Sequence, residues 1–394
     1  MPTVSVILPV YNATAFIEET LQSLQQQTLA DFELICVDDG STDGTLDLLN
    51  EYAQADQRIR VIHQQNEGPG SARNSGLDHA GGDYVCMLDA DDIYDPSLLK
   101  TLHERAVQTD ADIVVCRSTM FDDSTREELE SRWTVKDNQL PQKDTFSPDE
   151  IKDFIFTAFM GWPWDKMYRR SFIEENGLRY PALKNSEDLY FVFLANVKAR
   201  AISVIDKKLV RHRMNRTGSV SASRAKAPLD FYKSSCLLKK ALESDPSLYS
   251  KFSWNFFNWA FEYMIWNINT MTDESARRVQ LDALANGKFS ELELGRHASA
   301  FFALNPALYT EYTDLLCEAY GLPVQEKQPM TFLQRLGWFI LRVDEKGFKK
   351  AMATFIGNRT AKHSDEEKIV RSSDYMITDK QTLIQHLEKV NGAK

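Results

Sequence analysis

Over the first 116 residues, short, mainly apolar runs alternate with segments of helical period. The runs are Val4 to Val10, Phe32 to Val37, Arg60 to His63, Tyr84 to Leu88 and Asp112 to Cys116. Between them lie Ala13 to Gln27, Thr45 to Ala55, Gly68 to Ala80 and Pro96 to Val107. In the first of these segments Phe16, Thr20, Leu21 and Leu24 share one face, as a period of about 3.6 requires. Strands with apolar residues at consecutive positions are covered on both sides, so the pattern predicts a mostly parallel sheet with helices on both faces, an α/β fold. Ligands of such sheets sit beyond the carboxyl ends of the strands. The polar clusters fall there: Pro9, Tyr11 and Asn12; Asp38, Asp39 and Gly40; Asn66, Gly68 and Arg73; Asp89, Asp91 and Asp92.

Past residue 116 the alternation fades. The acidic stretch FDDSTREELESRWTVKDNQLPQKD reads as a loop or excursion. Ser147, Pro148 and Glu150 supply an N-cap, a first-turn proline and a capping-box acid, which predict a helix through IKDFIFTAF. NSEDLYFVFLANVKA is helix-like again, and from about Ala225 onward nearly everything reads helical. The expected division is therefore residues 1–224, with halves 1–116 and 117–224, followed by a helical domain over 225–394.

Charge narrows the chemistry. A formal net charge of −11 argues against a general binder of nucleic-acid backbones, which needs concentrated positive charge. No apolar stretch reaches the roughly 18 residues of a membrane span, and MPTVSVILPV lacks the basic start and cleavage site of a signal peptide, so a cytoplasmic location is expected. Cys36, Cys86 and Cys116 lie in strand-like runs without C-x-x-C spacing and read as small buried hydrophobes.

The run YVCMLDADDIYDP places Asp89, Asp91, Asp92 and Asp95 at the end of an apolar strand. Asp95 suits a helix cap before Pro96. Asp89 and Asp91, two apart on an extended strand end, point the same way and suit one hard divalent cation, magnesium or manganese, whose remaining sites take water and phosphate oxygens. A solvated loop explains the same acids without a metal. In VDDGSTDGT, the near match to a phosphatase motif, STDGT, has serine where a nucleophilic aspartate is required, which disfavours that chemistry. NEGPGSARNSG lets backbone approach a ligand and sets Arg73 at a helix start, where anions bind. It departs from the G-x-G-x-x-G dinucleotide fingerprint at Asn74, which disfavours a nicotinamide enzyme.

VSVILPVYNATAFIEETLQSLQQQT, FELICVDDGSTDGT, NEGPGSARNSGL and GDYVCMLDADD, in that order and spacing, closely resemble the nucleotide-binding half of family 2 inverting glycosyltransferases of the GT-A fold. The resemblance is strong over about the first 115 residues and continues weakly to about 221. It implies a sugar transferred from a nucleotide donor, a UDP-sugar, to an acceptor hydroxyl on a glycan, a lipid-linked saccharide or a protein. By it, Pro9, Tyr11, Asn66 and Arg73 belong to the nucleotide site and Asp39 accepts the imide hydrogen of the base. Asp89 and Asp91 form the Asp-x-Asp motif with Asp91 as the direct metal ligand, and Asp92 contacts sugar or acceptor. Glu187 and Asp188 match the acidic pair that supplies the catalytic base, Asp188; an acidic first helical turn is the alternative. Trp164 and Lys166 would shape the donor and acceptor pocket. Arg213 and Ser219 would belong to a basic loop closing over the diphosphate, with Arg211 and Arg216 as alternatives in register.

Two other classes use the same residues: a non-catalytic sugar-nucleotide or glycan binder, and a nucleotidyltransferase. For the C-terminal half, KFSWNFFNWAFEYMIWN reads as bundle core or as acceptor-binding or membrane-facing aromatics. FLQRLGWFILRVDEKGFKKAMATFIG, with five basic residues, reads as a packed or oligomer-forming helix or as a peripheral contact with the inner face of a membrane.

Overall fold

The computed structural model describes residues 2–129, 131–215, 221–292 and 306–323. The apolar runs become β1 (Val4–Val10), β2 (Phe32–Asp38), β3 (Ile59–His63) and β4 (Tyr84–Met87), separated by α1 (Ile17–Gln25), α2 (Thr45–Ala55) and α3 (Pro69–His79). The four strands lie in the order β3-β2-β1-β4, all parallel. Val6, Ile7 and Leu8 are completely buried because alternate residues meet different layers. Leu8 and Val6 join Leu21 and Leu24 of α1 in the larger core, whereas Ile35 and Val37 of β2 pack with Ala72 of α3 in a smaller one. The predicted cysteine role holds: Cys36, Cys86 and Cys116 are buried and unbonded to one another.

α3 sits close to the sheet. A Cβ on Gly76 would stand 2.3 Å from Ile7 Cγ2, so glycine is what permits this seat. The close approach carries Arg73, one turn earlier, to the end of β4.

The remaining elements are β5 (Ile93–Tyr94), α4 (Leu98–Thr109), β6 (Ile113–Asp122), β7 (Glu128–Leu129), β8 (Thr145–Phe146), β9 (Lys166–Arg169), α5 (Arg170–Glu175), α6 (Glu187–Lys198) and β10 (Ile202–Met214). Here the sheet becomes mixed: β9 enters antiparallel between β4 and β6. β10 runs parallel to β6, shifts register between Val204 and Val210, and then pairs antiparallel with β5. A register shift of this kind, as at a bulge, bends the strand and re-aims its end. The far end of β10 therefore lies behind the turn that follows β4.

The helix predicted through IKDFIFTAF is corrected. The capping box of Ser147 and Glu150 forms, but the segment yields a single 3-10 turn, Pro148–Ile151. Downstream backbone groups are spent elsewhere: Lys136 N–H donates to Ala158 O at 3.0 Å, Met160 N–H to Thr134 O at 3.2 Å, and Val135 bridges to Phe159.

The described residues divide into two compact units, one up to Asn255 and one from Phe256, so the boundary falls further along than the composition shift near Ala225. α7 (Asp230–Glu243) explains the difference, because it belongs to the first unit, where Lys184 N–H donates to Asp230 Oδ2 at 2.9 Å. α8 (Pro246–Asn269) follows, and the second unit continues with α9 (Glu274–Ala285) and α10 (Pro306–Tyr320). Of the α8 aromatics, Phe252, Phe256, Phe257, Trp259 and Phe261 are buried, while Trp266 is half exposed. Asp273 caps α9 by accepting Ala276 N–H, and Arg277 of α9 pairs with Glu318 of α10. The basic apolar segment at 332–357 lies outside the described residues. Among the described residues no helix is long and apolar enough to cross a membrane.

Candidate active site

The ends of β1, β2, β3 and β4 form one rim, built from the residues the sequence pointed to. Pro9 is the penultimate residue of β1, in register with Val37 of β2. Beyond it Asn12 adopts a left-handed conformation (φ 46°), and its side-chain Oδ1 accepts Thr42 N–H at 2.8 Å. Asn tolerates that region better than most residues, and the turn leaves Tyr11 52% exposed at the rim.

At the end of β2 the two aspartates divide their tasks. Asp38 is fully buried, with Oδ2 2.7 Å from His63 Nδ1. Asp39 organises the glycine loop: it accepts Gln64 Nε2–H at 2.8 Å, Glu67 N–H at 3.0 Å and Gly68 N–H at 2.8 Å. Gly40 is left-handed (φ 77°), and a Cβ there would stand 3.0 Å from Asn66 N, so glycine keeps this loop close to β2. Asn66 itself is exposed.

Arg73 joins two stretches that are far apart in sequence. Its guanidinium donates to Asp89 Oδ1 at 2.9 Å and to Glu187 Oε1 at 2.7 Å, and it lies over the Tyr180 ring. The approach of α6 depends on Gly70, where a Cβ would meet Glu187 Cγ and Pro181 O, each at 3.0 Å. Asp188 follows Glu187 in the first turn of α6 and is partly exposed. Burial, and next the charge of Glu187, push its carboxyl up to about 8, with Arg73 opposing. A carboxyl shifted to this range exchanges its proton close to physiological pH, as general acids and bases do.

The turn 89–92 is braced from behind. Tyr94 Oη donates to Asp89 O at 2.9 Å and accepts Asp89 N–H at 2.8 Å, and Thr20 Oγ1 donates to Ala90 O and Asp92 O at 3.0 and 2.8 Å. Four of the residues expected at the site are buried by the surrounding elements. Asp92 does not face sugar or acceptor: it is fully buried, with both oxygens 3.0 Å from His212 Nδ1 and Oδ1 accepting Arg213 N–H. Arg213 belongs to β10 instead of a closing loop, and its guanidinium is committed to Asp91 O at 2.7 Å, Asp123 at 2.6 Å and Glu19 at 2.5 Å. Lys166 is buried in β9, and its ammonium donates to Met160 O, Trp162 O and Asp165, which uses all three protons inside the protein. Trp164 is buried too and stacks on His212 with ring centroids 4.7 Å apart. Arg211 is also a β10 residue, and Ser219 and Arg216 lie outside the described residues.

His212 is the principal residue the sequence did not single out. Burial disfavours its cation, but Asp92 more than compensates and raises it to about 9, while burial raises Asp92 to about 6. One histidine between two arginines carries no spacing signal that would announce such a pair.

A divalent cation fits the residues present only in a particular way. No group of three or more His, Cys, Asp or Glu side chains suited to a metal gathers among the described residues. Asp91, partly exposed, and Asp89 offer hard carboxylate oxygens at a strand end, the donors that magnesium or manganese accepts when water and phosphate complete its shell.

Comparison with known proteins gives the family and the fold. Residues 5–177 match the model of the family described as glycosyl transferase family 2. The protein EpsH of Bacillus subtilis is 34% identical over 230 residues, which are 57% of this chain and 64% of EpsH, so the chain spans somewhat less than two thirds of that relative. A cholesterol galactosyltransferase of Borreliella burgdorferi is 30% identical over 284 residues, 68% of this chain and 77% of the relative. The crystal structure of S. aureus TarS 1–349, solved with UDP-GlcNAc, has the same fold, with a TM-score of 0.62 at 21% identity over 96% of this chain and 100% of that one.

Proposed function

The chain belongs to glycosyl transferase family 2, and on that premise we propose that it transfers a sugar from a nucleotide-sugar donor to an acceptor hydroxyl, with inversion at the anomeric carbon. The donor in this reading is a UDP-sugar, and the acceptor is a glycan, a lipid-linked saccharide or a protein. The observation that carries it is the Arg73 bridge, which joins Asp89 of the Asp-x-Asp turn to Glu187 beside Asp188. Donor and base are thereby expected within one reach of each other.

Asp188 is the general base: it takes the acceptor proton while the acceptor oxygen attacks the anomeric carbon from the face opposite the leaving diphosphate. A single displacement of this kind inverts the centre and needs no covalent enzyme intermediate. Asp39 serves the nucleobase. It already receives three hydrogen bonds, and a carboxylate has about four acceptor positions, so one is left for an imide N–H such as that of uracil. Pro9, Tyr11 and Asn66 complete the nucleoside side of the rim. Asp91, with Asp89, is the site for manganese or magnesium, which when bound offsets charge on the departing diphosphate. A cytoplasmic enzyme follows from the same reading, with peripheral membrane contact and self-association as roles for the helical unit.

The test is donor turnover. With manganese and a panel of UDP-sugars, the protein should release UDP in an acceptor-stimulated reaction. Binding of the donor without turnover across a broad acceptor panel would overturn the enzymatic reading.

A further inference from the structure

Asp92 is a buried acid in a turn whose neighbours would serve donor and metal, and its side-chain partner is His212. Both of its oxygens lie 3.0 Å from His212 Nδ1. The next residue of the same strand, Arg213, donates its N–H to Asp92 Oδ1 at 2.9 Å and its Nε–H to Asp91 O at 2.7 Å. β10 thus grips the turn at the Asp91 carbonyl and at the Asp92 carboxylate. The His212 ring is in turn fixed by Trp164, stacked at 4.7 Å and 12°, and by Trp162 at 5.6 Å. Trp164 is itself buried, so the imidazole has little freedom to swing away.

An apolar ring at position 212 would fill the same space against Trp164, and replacing a buried ion pair by packed hydrophobic groups often costs no stability. What an apolar ring would lack is a directed hydrogen bond to the turn. We propose that His212 is a positioning residue: acting through Asp92, it fixes the turn that presents Asp91 and Asp89 to the donor diphosphate and its cation. This rests on the donor-site reading given above. It also gives a role to the third acid of the strand-end run, which is an anchor and not a ligand. The repulsion expected among clustered acids is relieved at Asp89 by Arg73, while Asp92 is turned inward to hydrogen-bond β10.

Two substitutions separate the hydrogen bond from the ring. His212→Phe keeps the stack and removes the donor, whereas His212→Asn removes the ring and returns an amide N–H near the place of Nδ1. UDP affinity with saturating manganese, and manganese affinity with saturating UDP, would be measured by calorimetry, and hydrogen exchange would be followed over residues 89–94. His212→Phe should weaken both affinities about tenfold or more, the scale of a charge-assisted hydrogen bond, and speed exchange in that segment alone. His212→Asn should recover most of both. Wild-type affinity and exchange in His212→Phe, or His212→Asn no better than His212→Phe, would overturn the proposal. If His212→Phe fails to fold, His212→Leu, which also removes the donor, should show the same losses, and wild-type values there would overturn the proposal. Should the wild-type protein bind neither UDP nor manganese, the donor reading fails. The exchange pattern then still decides the His212 clamp: local acceleration in His212→Phe reversed in His212→Asn supports it, and unchanged exchange refutes it.

Discussion

Arg73 stands between Asp89 and Glu187, donating from its two terminal nitrogens at 2.9 and 2.7 Å to acids that lie on β4's end and at the start of α6. A bidentate guanidinium can span two carboxylates in this way, and a lysine, with one point charge, cannot do so equally well. Arg73→Ala leaves buried Glu187 without its cation, a loss on the scale of about 3–5 kcal/mol for a broken buried pair. The melting temperature should fall by several degrees and donor turnover should disappear. Arg73→Lys should regain part of the stability and little of the turnover, as read by circular dichroism and UDP release.

Asp188 makes a prediction about pH. Its folded pKa, about 8, lies above its ordinary value of 3.8, so folding takes up a proton. The associated stability is complete below about 3.8 and is lost as pH rises through about 8. Asp188→Asn removes the ionisation. The variant should therefore melt above the wild type at about pH 9 and match it progressively as pH falls toward 4, in thermal melts across that range.

Asp39 should matter twice, for the loop and for the base. Asp39→Ala strips the acceptor from Gln64, Glu67 and Gly68 together, so the loop at the end of β3 loses its register. UDP affinity should drop at least about tenfold, the worth of a charge-assisted hydrogen bond, while the global melt changes less than in Arg73→Ala. Calorimetric titration of UDP checks the first, and circular dichroism the second.

Gly82 supports β1 from its flank. A Cβ there would stand 2.5 Å from Ser5 N and 2.8 Å from Val4 C, both backbone atoms that no side-chain rotation relieves. Gly82→Ala should destabilise the protein by about 1–3 kcal/mol, the usual scale of overpacking, measured by urea unfolding.

The βα alternation was legible because consecutive apolar residues have only one home, a strand covered on both sides, and the strand-end rule then located Tyr11, Asp39, Asn66, Arg73 and Asp89. β9 was not legible. Its residues KMYR include a lysine that ordinarily marks a surface, and only the three acceptors gathered around its ammonium allow Lys166 inside. The same holds for Arg213 and Asp92, which look like ligand contacts in sequence and become mutual partners once β10 bends behind the turn. Charged residues report their type along a chain, but their partners are fixed by long-range packing.

Sugar transfer by Asp188→Asn, compared with the wild type at saturating manganese and donor, bears most directly on the proposed chemistry. Loss of a general base should lower turnover by about a hundredfold to ten-thousandfold while UDP affinity stays near the wild-type value. Turnover close to wild type in a folded, donor-binding Asp188→Asn protein would contradict the assignment of the base and, with it, the mechanism built on the Arg73 bridge.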